Sequence, residues 1–142
     1  MTEIPPPLDG YTIYDPIDPL ENHVGPFFWK ELEDGIQHFV LKAEARHCNR
    51  HEIVHGGLMM TMIDLAMVVA AKETWDEQLV TVSLNSEFVD AGRAGDLIEA
   101  NGELVRRTGS MAFVRGRVYV GERTLLSSSA VLKRMRVKTT ER

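Results

Sequence analysis

The stretch NRHEIVHGGLMMTMIDLAMVVAA, residues 49–71, decides how this chain folds. Its apolar run predicts a helix over residues 54–72, roughly five turns long at about 3.6 residues per turn. Apolar side chains lie on nearly every side of that helix, so we expect protein to surround it. Two glycines, Gly56 and Gly57, open the helix, and one carboxylate, Asp64, lies alone within it.

Strand-like segments flank the helix on both sides. Before it, GIQHFVLKAEA over residues 35–45 alternates its two faces with a period of two. After it, no second helix is indicated, and four segments are typical of strands: 79–89, 96–106, 110–120 and 125–136. Tight hairpin turns are predicted at Thr108-Gly109 and Gly121-Glu122. This order predicts an α+β fold, in which an antiparallel sheet of about five or six strands curves around one long central helix.

The first 26 residues contain all six prolines of the chain. Proline disfavours helix and suits an extended segment, so we expect an N-terminal arm over residues 1–26 that packs over the body. A chain of 142 residues is long enough for one domain with a substantial core. We therefore expect a single domain over residues 27–138 and a short tail over residues 139–142.

Composition and charge argue against several classes of protein. No apolar run has membrane-spanning length, and the acidic, proline-rich beginning of the sequence does not resemble a secretory signal. The single cysteine, Cys48, fits a reducing compartment, so we expect a cytoplasmic protein that does not bind membranes. A net charge of −5 argues against a nucleic-acid-binding protein. Residues 105–142, however, hold ten basic and two acidic residues, which suits an anionic ligand or a solvated surface.

The predicted helix start has the features of an anion site. Backbone N–H groups at a helix N-terminus lack intrahelical partners and carry a partial positive charge of about +0.5. Glycine at Gly56 and Gly57 lets a ligand approach this backbone closely. Such donors could stabilise a thioester carbonyl oxygen as it becomes negative. The His55-Gly56-Gly57 spacing is also found in ordinary loops, so it does not decide the function by itself.

Asp64 is the second candidate group. A carboxylate in an apolar helix is costly unless it is paired or used for chemistry, and both readings stay open. Asp64 and Gly56 are eight residues apart, about 12 Å along one helix at about 1.5 Å per residue, so they cannot both touch one carbonyl group. If both are catalytic, two copies of the helix must pack antiparallel in a two-fold dimer with shared sites.

These residues and their order resemble one known family. Asn49, His55-Gly56-Gly57 and Asp64, set in a strand, helix and four-strand order, resemble the PaaI-like group of hotdog-fold acyl-CoA thioesterases over roughly residues 20–136. The segment ENHVGPFFWK is similar to the entry segment of one branch of that family. The resemblance implies a hotdog fold that hydrolyses an acyl-CoA thioester to a carboxylic acid and CoA.

The resemblance also implies roles for individual residues. Gly56 would donate its N–H to the thioester carbonyl, with His55 and Gly57 shaping the loop. Asp64 would act from the other subunit as nucleophile or general base. Asn49 would position that acid or the nucleophilic water, and a hydroxyl group after the helix would hold the water. Thr81 is the preferred match for this hydroxyl, with Ser83 as the second choice.

Substrate and assembly follow from the same resemblance. It implies an acyl-CoA substrate between the subunits of a homodimer, possibly within a dimer of dimers, and no cofactor. Arg106 and Arg107 are candidates to contact the CoA phosphates, since guanidinium groups pair well with phosphate, although a solvated hairpin end explains them equally. Glu52 departs from the small residue of many relatives, which leaves the acyl preference open.

Four alternatives remain at this stage. A metal site is suggested by the clustered donors His47, Cys48, His51 and His55, although no second cluster completes a zinc pattern. A nucleophilic Cys48 competes with a buried structural thiol. A hotdog enoyl-CoA hydratase is the nearest other enzyme, but it would normally need a histidine beside the acid. A non-catalytic acyl-CoA-binding module is also possible, because fold alone does not establish chemistry.

Overall fold

The computed structural model describes residues 4–135, and within them seven strands form one antiparallel sheet. The strands are β1 (Thr12–Ile13), β2 (Phe28–Glu31), β3 (Gln37–Lys42), β4 (Leu79–Phe88), β5 (Leu97–Arg107), β6 (Met111–Val120) and β7 (Arg123–Arg134). The helices are α1 (Pro19–Val24) and α2 (Gly56–Ala71), with a short 3-10 turn at Ala45–His47. The strand order is β1-β2-β3-β5-β6-β7-β4, which places β4 at one edge.

The long helix α2 lies across the sheet, in contact with β3, β4, β5, β6 and β7. Met62, Ile63, Ala66 and Met67 are fully buried against the strands. The predicted architecture of a curved antiparallel sheet around one helix is confirmed, with seven strands where about five or six were expected.

Two glycines allow the helix to approach the sheet closely. Gly102 on β5 and Gly116 on β6 are paired across the ladder beneath α2. A Cβ atom at Gly116 would lie 2.7 Å from Ile63 Cδ1, and one at Gly102 would lie 3.0 Å from the Ala66 carbonyl oxygen. A side chain at Gly102 would therefore meet the backbone of α2, and one at Gly116 would meet the side chains of Ile63 and Met67.

The N-terminal segment is more structured than the expected extended arm. β1 pairs with β2, and α1 begins at Pro19, with the Asp18 carboxylate accepting a hydrogen bond of 2.8 Å from the Glu21 N–H. Proline disfavours the interior of a helix but suits its first position, which explains why this helix can form. Tyr11 packs with Phe28 and Val40 in a second apolar cluster. Of the expected C-terminal tail, residues 139–142, nothing falls within the described range.

One side of α2 is only partly covered. Thr61, Asp64, Val68 and Lys72 follow one another at intervals of three or four residues along this side, and they are neither fully buried nor fully exposed. The neighbouring edge strand β4 exposes apolar side chains, with Val82 at 58% and Phe88 at 57%. The expectation that protein surrounds the helix is therefore met on the sheet side and not along this stripe. Neither described helix is long and apolar enough to cross a membrane.

Candidate active site

The N-terminus of α2 presents a free backbone donor. His55 caps the helix, and its Nδ1 accepts a hydrogen bond of 2.9 Å from the Gly57 N–H. Within residues 4–135, no group accepts a hydrogen bond from the Gly56 N–H. Gly56 thus offers the unpaired, positively polarised N–H that an oxyanion needs.

The loop before α2 holds this tip in place. The Asn49 Oδ1 atom accepts hydrogen bonds from the N–H groups of His51 at 2.9 Å and Ile53 at 3.4 Å. Glu52 has a φ of 64°, which completes the tight turn in this loop. The His55 N–H then donates to the His47 carbonyl at 2.9 Å. Asn49 therefore shapes the loop that carries the tip.

Asp64 has a partner on the edge strand. The Thr81 hydroxyl donates a hydrogen bond of 2.5 Å to Asp64 Oδ1, and both side chains are partly buried. A β-bulge follows Thr81, so Ser83 pairs with Val131 and lies on the opposite face of the sheet, away from Asp64. The Ser83 hydroxyl instead accepts a hydrogen bond from Asn85 Nδ2 at 3.2 Å. Of the two hydroxyl candidates, only Thr81 contacts the acid.

A pocket of about 440 Å³ opens beside the helix tip. Its walls come from α1, from the segment before the tip and from the first turns of α2, and include Val24, Cys48, His55, Gly57 and Thr61. The tip and the Asp64–Thr81 pair are two turns apart on one helix, so this chain alone does not bring them to one point.

The two candidate arginines have different surroundings. Arg106 is exposed and pairs with Phe113 on the outer face of the sheet. Arg107 is mostly buried: its guanidinium donates to the Ala71 carbonyl at 2.7 Å and forms ion pairs with Glu73 and Glu77. Its donors therefore secure the C-terminal end of α2, while those of Arg106 are available to a ligand.

Of the two carboxylates that pair with Arg107, Glu77 has a shifted pKa. Burial by itself would raise the pKa of Glu77, but hydrogen bonds from the Glu73 N–H, Arg107 and Arg134 outweigh it and lower the pKa overall. Glu77 is therefore held as the anion that Arg107 requires. The side chain of Glu77 is only 7% exposed, so this pair is part of the structural framework.

Sequence reasoning missed Glu21. This residue of α1 is partly buried, and burial, followed by the nearby charges of Asp18, Asp15 and Asp64, raises its pKa to about 7. Lys72 acts in the opposite direction. The only signal in the sequence was the acidic segment itself, because the proximity of α1 to α2 depends on tertiary packing.

The histidine and cysteine cluster is not arranged as a metal site. Burial and the neighbouring Arg46 lower the pKa of His47, whose Nδ1 accepts a hydrogen bond from the Glu44 N–H at 2.9 Å. His55 uses Nδ1 to cap α2, and Cys48 Sγ lies 3.6 Å from the Glu44 carbonyl oxygen. Across residues 4–135, no group of three or more His, Cys, Asp or Glu side chains could hold a metal ion.

Comparisons with known proteins identify the family of this chain. The model of the thioesterase superfamily matches residues 51–127. The "Putative esterase PA0474" of Pseudomonas aeruginosa is 31% identical over 115 residues, which cover 80% of this chain and 86% of that protein. The crystal structure of the BH2602 protein from Bacillus halodurans with CoA is 26% identical and has a TM-score of 0.70, covering 78% of this chain and 74% of that one.

A third comparison concerns the fold alone. The structure of the E. coli PaaI protein from the phenylacetic acid degradation operon has a TM-score of 0.73 and 17% identity, covering 84% of this chain and 86% of that one. A family model that spans more than half of the chain, and a relative above 30% identity over most of it, establish the family. The chain belongs to the thioesterase superfamily and has the hotdog fold of its PaaI-like members.

Proposed function

We propose that this protein hydrolyses an acyl-CoA thioester to a free carboxylic acid and CoA, at sites shared between two copies of the chain. The observation that carries the proposal is the pairing of Thr81 with Asp64 on a helix whose tip presents the free Gly56 N–H. The superfamily supports thioester hydrolysis, and the BH2602 structure with CoA supports a CoA ester.

Assembly of the site needs a second copy, for which β4 offers the surface. Within the described residues, β4 pairs on one side only, with β7, and an unpaired strand edge is a template for another strand. Two copies joined antiparallel at β4 would continue the sheet and align their α2 helices head to tail. The Gly56 tip of one copy then approaches Asp64 of the other, and the partly covered stripe of α2 becomes buried.

Hydrolysis proceeds by addition and elimination in this proposal. The thioester carbonyl oxygen accepts a hydrogen bond from the Gly56 N–H of one copy. Asp64 of the other copy takes a proton from water, and the water oxygen bonds to the carbonyl carbon as the carbonyl electron pair moves onto its oxygen. Collapse of this intermediate breaks the carbon–sulfur bond, so that the carboxylic acid forms and the leaving CoA thiolate takes up the proton that Asp64 had removed from water. Alternatively, Asp64 attacks the carbonyl carbon directly and the carbon–sulfur bond breaks to release the CoA thiolate. Water then hydrolyses the resulting anhydride, which frees Asp64 and the carboxylic acid.

Other residues position these groups. Thr81 orients Asp64 and the nucleophilic water, while Asn49, His55 and Gly57 fix the loop and the helix tip. Arg106 remains the candidate for the CoA phosphates because its guanidinium is exposed. Arg107 would have to leave Glu73 and Glu77 to serve in that role, so we propose no phosphate contact for it.

A panel of acyl-CoA esters, with release of free thiol followed over time, tests the proposal. We expect hydrolysis of at least one medium-chain or aromatic ester. Asp64→Asn should reduce kcat by about 100-fold or more while substrate binding persists, because the variant keeps the size of the side chain and loses the base. Binding of every ester without thiol release would indicate a binding module, and hydration of an enoyl-CoA without thiol release would indicate a hydratase.

A further inference from the structure

The pocket beside the tip of α2 is lined by side chains that donate hydrogen bonds. Four of its residues carry a donor nitrogen in the side chain: His23, Arg46, His47 and His55. Among the residues that the structure describes, no aspartate or glutamate lines this pocket, and Glu52 of the neighbouring loop is outside its walls. The chain as a whole has a net charge of −5, so these walls differ from its average composition. The pocket therefore suits a ligand that is anionic or rich in acceptors.

Hydrogen bonds fix the position of the proton in two of these histidines. His47 Nδ1 accepts a hydrogen bond of 2.9 Å from the Glu44 N–H, and His55 Nδ1 accepts one of 2.9 Å from the Gly57 N–H. A ring nitrogen that accepts a hydrogen bond carries no proton, so in both rings the proton is on Nε2. Each histidine therefore presents a donor, and not an acceptor, at the opposite edge of its ring.

The donor of His47 has no partner in the protein. His47 is 5% exposed, and across residues 4–135 its Nε2 is the one buried side-chain nitrogen or oxygen without a hydrogen bond. The backbones of Val24 and Gly25, at the end of α1, lie close to this ring, but neither carbonyl is within hydrogen-bond distance of Nε2. Val24 is also a wall of the pocket. An unpaired buried donor is costly, and a ligand that accepts its hydrogen bond would remove that cost.

Arg46 adds a positive charge next to this donor. Its Nε pairs with Glu44 at 3.2 Å, and its two terminal nitrogens donate to the carbonyls of His23 at 3.4 Å and Gly25 at 2.5 Å. These contacts use three of the five N–H groups of a guanidinium and fix its position. Two N–H groups remain on a side chain that is 43% exposed. Arg46 is thus held in place and still able to bind an anion.

The location of the pocket decides which part of an acyl-CoA can place an anion there. Gly57 lines the pocket and directly follows Gly56, the proposed contact of the thioester carbonyl. The long pantetheine arm separates the CoA phosphates from the sulfur atom, so the phosphates do not lie beside the carbonyl. A volume of about 440 Å³ is enough for a small acyl group. An anion in this pocket therefore belongs to the acyl group.

We propose that this pocket receives the acyl group and selects esters whose acyl group ends in a carboxylate, that is, CoA monothioesters of short dicarboxylic acids. This inference rests on the proposed function. The terminal carboxylate accepts hydrogen bonds from the His47 Nε2–H and from the Arg46 guanidinium, and His55 supplies a further donor. His47 is then a residue that determines specificity. A neutral acyl group of the same shape leaves these donors unpaired, and a site built for hydrogen bonds rejects such an analogue.

A pair of esters with matched shape tests this selection. The acyl group of adipoyl-CoA ends in a carboxylate, and that of 6-methylheptanoyl-CoA has the same chain but ends in an uncharged isopropyl group. We expect kcat/KM, measured by thiol release, to favour adipoyl-CoA at least tenfold. His47→Asn keeps an acceptor for the Glu44 N–H but lacks the Nε2 donor, so this preference should fall about tenfold. His47→Gln, whose amide can donate from the far end, should retain more of it.

His51→Asn is the matched control for these variants. His51 is exposed in the turn before α2 and does not line the pocket, so the same substitution should leave the native preference between the two esters unchanged.

Binding to Asp64→Asn separates selection from chemistry. This variant should bind esters without hydrolysing them at the native rate, so calorimetric titration with the two esters measures selection alone. We expect adipoyl-CoA to bind at least tenfold more tightly than 6-methylheptanoyl-CoA. This comparison and the native kcat/KM ratio decide the matter even if His47→Asn does not fold.

Equal kcat/KM and equal affinity for the two esters would overturn the inference and leave the proposed function standing. An equal loss on both esters in His47→Asn would also overturn it, because the pocket would then hold a part that both esters share, such as the pantetheine arm. Selective binding of adipoyl-CoA without hydrolysis of any ester by the native protein would contradict the proposed function and leave the selectivity of the pocket intact.

Discussion

Thr81 and Ser83 are two residues apart, yet the bulge between them sends their hydroxyl groups to opposite faces of the sheet. A hydrogen bond to a carboxylate both fixes its orientation and stabilises its charge. We expect Thr81→Val to lower kcat about tenfold with little change in KM, because Asp64 loses this partner. Ser83→Ala removes a hydroxyl from the other face and should retain the native kcat. Steady-state kinetics on one ester would compare them, and equal losses would contradict the assignment.

Glu21 affects stability, with a defined sign. Its pKa is raised from an ordinary value of 4.5 to about 7, so the folded state holds the proton more tightly than the unfolded state. The resulting stabilisation is complete below pH 4.5 and is lost as the pH rises to about 7. Glutamine cannot ionise, so Glu21→Gln should be more stable than the native protein at pH 8 by about 1 kcal/mol, after allowance for solvent screening.

Urea unfolding of the two proteins at pH 4 and pH 8, at one protein concentration, measures this difference. The gain should vanish at pH 4, where both side chains are neutral. A gain of equal size at both pH values would mean that packing, and not ionisation, separates the variants.

Single residues differ in how far the sequence alone identifies their roles. Asp64 and Gly56 stand out because a carboxylate and two adjacent glycines are unusual in an otherwise apolar helix. The partners of Arg107 could not be identified, because Glu73 and Glu77 lie about thirty residues earlier and meet it only after the sheet has formed. Glu21 was missed for the same reason: its effect depends on how α1 packs against α2.

At the level of elements, α2 and the sheet are in contact through a glycine pair. Gly116→Ala should destabilise the protein by about 1–3 kcal/mol, because the new Cβ atom would lie 2.7 Å from Ile63 Cδ1 and 3.0 Å from the Asn101 carbonyl oxygen. Gly109→Ala is the matched control, since a Cβ atom added there would meet no other atom within 4 Å and the variant should stay within about 0.5 kcal/mol of the native protein. Equal denaturation midpoints for the two variants would show that the helix can shift without cost.

The sequence predicts the long helix and the strands after it better than the N-terminal elements. α2 and the four strands after it follow from apolar patterning and turn residues, and the structure has them within a few residues of the expected bounds. β1, β2 and α1 were not predicted, because β1 is two residues long and α1 starts at a proline. Both strands are fixed by pairing with a neighbour, which a local pattern does not encode.

At the scale of the whole molecule, the proposed site has two halves, the Gly56 tip and the Asp64 acid, and a mutation can remove either one while leaving the other intact. Gly56→Pro removes the proposed oxyanion donor at the first helical position, where proline is best tolerated. The preceding His55 is already extended, with a ψ of 131°, as a residue before proline should be. Phe88, which a side chain at position 56 would touch, is 57% exposed and can move aside. Asp64→Asn removes the acid and leaves the tip intact.

Shared sites predict that these two inactive variants rescue each other. In a mixed dimer, one site combines the intact Gly56 tip of the Asp64→Asn chain with the intact Asp64 of the Gly56→Pro chain. Random mixing of equal amounts gives mixed dimers in half of the population, each with one working site, so about a quarter of native activity should return. Co-refolding and a thiol-release assay measure this. Asp64→Asn mixed with Thr81→Val is the control, because both lesions affect the acid half, and no mixed site is then complete. If the first mixture is no more active than the mean of its components, each site is built from a single chain, and the shared arrangement is wrong.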